Sequence, residues 1–87
     1  MEEIARFFWK DYISVGELSS AVEELAGILS RIRGWEGIRS RSLTSKEVDS
    51  TGTVVRFRFE VIGITDEWVE ERLRVTYDQG LVIVERK

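Results

Sequence analysis

The strongest constraint on this chain is a single amphipathic-helix signature over 15–33, complete with start and stop signals. Ser14 takes the N-cap and Glu17 stands three residues on, the spacing of a capping box. Ile13 and Leu18 occupy the two positions of a hydrophobic staple. Leu18, Ala21, Val22, Leu25, Leu29 and Ile32 recur at helical spacing as one apolar stripe, leaving Glu17, Ser20, Glu23, Glu24 and Arg31 for solvent. Arg31 and Arg33 suit the last turn, and Gly34 suits the left-handed position that follows it. Gly27 costs the helix interior about 1 kcal/mol relative to alanine, which predicts close approach by a packed neighbour.

A helix with one apolar stripe must bury it, and the remaining sequence offers strands. Over 53–62, Val55, Phe57, Phe59 and Val61 alternate with Arg56, Arg58 and Glu60, the pattern of a half-buried antiparallel strand. Asp49-Ser50-Thr51-Gly52 supplies turn chemistry before it, so 38–48 returns as its hairpin partner. Ser40, Ser42, Thr44, Ser45 and Lys46 make that partner a polar sheet edge, expected to face water. Leu73, Val75 and Tyr77 alternate with Arg72, Arg74 and Thr76, Asp78-Gln79-Gly80 turns, and 81–84 continues as a second hairpin. Residues 4–12 are dense in aromatics and read as a first strand, although Ile4, Phe8 and Tyr12 also fit helical spacing. Residues 65–72 extend the following strand backwards through Val69; the other reading is a helix over 66–77 begun by Thr65, which would give a ferredoxin-like order.

The expected fold is a single α+β domain over residues 1–87, in which an antiparallel sheet of four to five strands packs on one long helix as a strand-helix-strands roll. Cystatin-like and helix-grip folds share that order of elements, a likeness of topology. Eighty-seven residues leave no room for a second core. No uncharged run exceeds six residues, which excludes a spanning helix or a signal-peptide core, and Met1-Glu2-Glu3 is acidic where a presequence is basic. A cytoplasmic location is expected. The chain has no asparagine, one glutamine and one methionine, and ten of its thirteen basic residues are arginine. That pattern predicts a thermophilic source.

The missing residue types narrow the chemistry. Without cysteine there is no disulfide, thiolate nucleophile, Cys-type zinc site or iron–sulfur cluster. Without histidine the commonest general base and metal ligand near neutral pH is gone. No EF-hand, D-x-D cluster, P-loop or G-x-G-x-x-G occurs, and Glu23-Glu24 and Glu70-Glu71 read as ordinary solvated pairs. The expectation is a non-enzyme that needs neither metal nor cofactor.

Three binding readings follow. Exposed Trp and Arg are enriched at interface centres, and at least one large aromatic is hard to bury here. Trp9, Trp35 and Trp68, with Arg39 and Arg41, are therefore the candidate interface of a protein–protein association module, either a homo-oligomer or a subunit of a larger complex. The second reading is a small-molecule pocket between helix and sheet, with Ser40, Ser42 and Thr44 as its hydroxyls. The third is nucleic acid. Gly34-Trp35-Glu36-Gly37 has the GxxG spacing with which KH domains clamp a nucleic-acid backbone, and residues 31–46 carry five basic groups against Glu36. An acidic residue inside the tetrad, an extended continuation and a pI of about 5.0 speak against it. Ion pairing with neighbouring glutamates, Arg41 with Glu60 for example, accounts for these arginines instead.

Overall fold

The computed structural model describes all residues, Met1–Lys87. Strand β1 (Glu2–Phe8) leads through a 3-10 turn (Val15–Glu17) into helix α1 (Leu18–Arg33). Strands β2 (Gly37–Val48), β3 (Val54–Ile64), β4 (Glu70–Asp78) and β5 (Leu81–Arg86) follow. The five strands form one antiparallel sheet in the order β1-β5-β4-β3-β2, so the first two strands are its two edges and α1 crosses between them. This is the expected α+β roll. The ferredoxin-like alternative does not form, because residues 65–69 make a turn and β4 begins only at Glu70.

The helix begins and ends as its residues dictate. The Glu17 carboxylate accepts the Ser14 backbone N–H at 3.1 Å and the Ser14 hydroxyl at 2.6 Å. Ile13 and Leu18 are both buried, which places the staple in the core. At the other end Gly34 sits at φ 67°, its N–H donates to the Arg31 carbonyl, and the Trp35 N–H donates to the Ser30 carbonyl at 3.0 Å. Those two bonds make a Schellman motif, in which the residue after the glycine carries an apolar side chain back onto the helix's last turns.

Seventeen side chains form a continuous core between α1 and one face of the sheet. Phe57, Phe59 and Val61 of β3, Leu73, Val75 and Tyr77 of β4, and Val82 and Val84 of β5 all point at the helix. Phe57 and Tyr77 stack at 4.9 Å between ring centroids. The opposite face carries Arg56, Arg58, Glu60, Arg72 and Arg74 and has no element over it.

Several expectations are corrected. Ile32 lies outside the buried part of the stripe and is exposed, as is Val69, which falls in the turn rather than in a strand. Gly27 has only the Arg31 guanidinium near it, at ordinary contact distance, so no close packing explains it. Three register shifts along β2 change its pairing, and the residue opposite Glu60 is Ser42, not Arg41. Arg41 reaches Glu23 on the helix at 3.3 Å, and Glu60 is held by Lys87.

Candidate functional site

The five interface candidates disperse. Trp35 is 8 % exposed: the Schellman turn folds its ring flat onto β3, where Gly63 leaves the space. Its indole N–H donates to Glu71 at 2.9 Å, and Arg33 binds the same carboxylate through two bonds of 2.9 and 2.7 Å. These bonds, Arg33's foremost, and the nearby Arg86 hold the Glu71 carboxyl below its ordinary range against the opposing effect of burial. Glu71 is thus not a solvated acid but the hub joining the end of α1 to β4. Sequence parity carried that signal, since Glu71, Leu73, Val75 and Tyr77 share one face of β4 and a carboxylate turned toward the helix needs a cation there.

Trp9 is half-buried at the opposite end of the core, edge-on to Tyr77 with centroids 6.3 Å apart. Lys10 lies over the Trp9 ring at 5.1 Å, and the Tyr77 hydroxyl donates to the Lys10 carbonyl at 2.7 Å. Both tryptophans close the core at its ends.

Trp68 is different, at 80 % exposed. It stands at φ 62° in a turn closed entirely by Thr65: the Thr65 N–H donates to the Val69 carbonyl, the Trp68 N–H to the Thr65 carbonyl, and the Val69 N–H to the Thr65 hydroxyl. Nothing in those bonds uses the indole. Exposed Val69 follows it, and Glu70 then bridges Arg39 of β2 and Arg72 of β4. Of the predicted set, the structure brings Arg39, Trp68 and the buried Trp35 to the same end of the sheet and leaves Trp9 and Arg41 apart.

Arg41 belongs to a groove of about 390 Å³ between the start of the helix and β2. Val15, Leu18, Val22 and Leu43 give it apolar walls, and Ser19, Glu23, Arg41 and Lys46 are its polar rim. Lys46 has no carboxylate within ion-pair distance. The interior between helix and sheet is otherwise filled by the core. The hydroxyls expected in a pocket are elsewhere: Ser40 and Ser42 line a smaller dent on the other face, and Thr44 donates to the Arg58 carbonyl. The arginine stripe does not act as one field either. Arg33, Arg39 and Arg41 each reach a different glutamate, and Arg31 alone is unpaired. The Gly34–Gly37 tetrad is spent on the helix cap and the start of β2.

No group of three or more acidic side chains gathers as a metal site, and no helix is long and apolar enough to cross a membrane. No protein-family model, no curated protein and no solved structure matches the chain.

Proposed function

We propose that the protein is a non-enzymatic association module that engages a protein partner through the Thr65–Val69 turn. The observation that supports this reading is Trp68: a large indole, 80 % exposed, standing at a left-handed backbone position. Such a position costs a non-glycine residue roughly 1 kcal/mol, and glycine or asparagine would fill it with less strain. The fold gains nothing from tryptophan there, whereas interface centres are enriched in Trp and Arg. Arg39 and Arg72, tied to the same end by Glu70, supply the polar surround.

The test is Trp68→Gly. The variant should be at least as stable as the parent, because glycine relieves the backbone, yet lose binding to any partner that the parent retains in affinity capture. A variant that unfolds more easily, or one that retains the same partner equally well, refutes the assignment.

A second reading rests on the groove between α1 and β2, whose volume falls within the range of small-molecule sites and whose apolar walls end at the unpaired Lys46. An amphiphile with one carboxylate would fit that chemistry. A thermal-shift series with fatty acids of increasing length tests it, since a ligand at 100 times its Kd adds about 2.7 kcal/mol of stability. No shift at any chain length would refute it.

A further inference from the structure

We propose that two copies of the protein join edge to edge through β1, antiparallel about a two-fold axis between Ile4 and Ala5, to make one continuous ten-stranded sheet. The proposal is independent of the Trp68 surface. Its basis is the register of β1. Glu3 pairs with Glu85 and Ala5 with Val84, so Ile4 is an extra residue in a bulge. Val82 and Val84 are fully buried, which turns their partners Phe7 and Ala5 toward the helix and leaves Arg6 and Phe8 on the uncovered face. Beyond the bulge the parity reverses, and Glu3, opposite Glu85, is on the uncovered face as well.

Directly opposed side chains of an antiparallel pair share a face. A regular strand pairs with its own copy only when the opposed residue numbers are both odd or both even. Across a one-residue bulge the rule inverts. The register that sets Glu3 opposite Arg6 of the second copy is the one in which every pair flanking the axis spans the bulge, so faces match throughout. Each axis side then gains a Glu3–Arg6 ion pair between copies in place of the intrastrand pair at 2.8 Å. Met1, 61 % exposed, falls opposite Phe8, 83 % exposed, and each covers the other.

The other edge is unsuited to this. Strand β2 has three register shifts and carries Lys46. Its bulges and lysine are the devices by which sheet edges avoid pairing. Strand β1 has no lysine or proline, and its single bulge is absorbed by the symmetric register.

Sedimentation of the purified full chain over a concentration series tests the proposal. Glu3→Arg and Arg6→Glu each set like charges opposite one another twice and should weaken self-association by about tenfold. Mixing the two single variants should restore it, because each 3–6 contact between unlike copies then sets a cation opposite a carboxylate while the intrastrand pair stays broken in both chains, which a merely structural role for the pair does not predict. Because the chain lacks cysteine, Glu3→Cys and Arg6→Cys variants give a clean second readout: mixed together they should form a mixed disulfide, while neither forms its own. Trp68→Gly should leave the dimer intact. A protein that stays monomeric at millimolar concentration without mixed disulfide overturns the proposal. So does a dimer insensitive to both charge reversals, or one lost on Trp68→Gly instead.

Discussion

Replacing Gly63 by alanine should damage this protein more than any other single added methyl group. A Cβ built on Gly63 falls 1.9 Å from Trp35 Cδ2, 2.1 Å from Cε2 and 2.4 Å from Cε3, inside the ring system rather than beside it. Ordinary carbon contact begins near 3.5 Å, so the indole must retreat by about 1.5 Å. It has little freedom to do so. The backbone of Trp35 is pinned by its bond to the Ser30 carbonyl, and its indole N–H is committed to Glu71. Overpacking costs about 1–3 kcal/mol, and losing a hydrogen bond to a charged acceptor about 1.5–3 kcal/mol, so the variant should lose about 3–5 kcal/mol. A domain of this length has about 4–13 kcal/mol in total, and Tm should fall by about 12 °C or more. Guanidinium unfolding followed by tryptophan fluorescence reads both the stability and the displaced ring. The decisive control is Trp35→Ala, which removes the three ring atoms that the methyl group strikes. In that background Gly63→Ala should be neutral or stabilising, because alanine loses less chain entropy than glycine in a strand. A Gly63→Ala variant within 0.5 kcal/mol of the parent, or an equal cost in both backgrounds, would refute the packing argument.

Two further outcomes follow from the same end of the molecule. The folded-state pKa of Glu71 lies below its unfolded value, so its contribution to stability is present above the unfolded carboxylate range and is lost as pH falls through the depressed folded value. Acid titration of stability should therefore show a smaller loss below pH 4 in Glu71→Gln, whose amide cannot titrate, and an unchanged acid slope would contradict the assignment. Gly34→Ala forces a Cβ into the left-handed cap at φ 67° and should cost about 1–2 kcal/mol by chemical denaturation, although nothing crowds the site sterically. A neutral result there would mean that the cap carries no backbone strain.

What the sequence disclosed and what it hid divide along the range of the interactions involved. The end of helix α1 was legible to the residue because Gly34 is a local device; the capping box and staple were legible as well, but they open a 3-10 turn at Val15 and the α-helix begins three residues later, at Leu18. Strands β3 to β5 were legible because alternation is local too. Trp35 was misplaced because its burial depends on Gly63, twenty-eight positions away, and on Glu71 beyond that. The local hint was present in a glycine cap followed by an aromatic, since the residue after such a cap often packs back on the helix. Residues 65–72 misled for a different reason. The turn there uses Thr65 three times and holds Trp68 at positive φ, a conformation that no propensity of tryptophan announces. The groove was hidden because it arises from a mismatch of lengths between elements rather than from any motif.

That mismatch explains the shape of the molecule. Twelve residues of β2 at about 3.3 Å each extend to about 40 Å, while sixteen residues of α1 at 1.5 Å cover about 24 Å. The 3-10 turn adds only one short step, so the hairpin β2–β3 outruns the helix that packs on it and the molecule measures 45 × 22 × 19 Å. An elongated chain of this size has more surface per buried residue than a round one, and its margin of stability is correspondingly thin. Coverage by a partner is then worth most where apolar surface and free backbone groups coincide. Strand β1 meets both conditions at Phe8, 83 % exposed, and along its open edge; β2 exposes only the less accessible Leu43, at 43 %, and its bulges are set against pairing. The asymmetry between the two edges therefore follows from element lengths and bulge positions together: the longer edge needed protection, and the shorter one kept the apolar residue that makes pairing favourable.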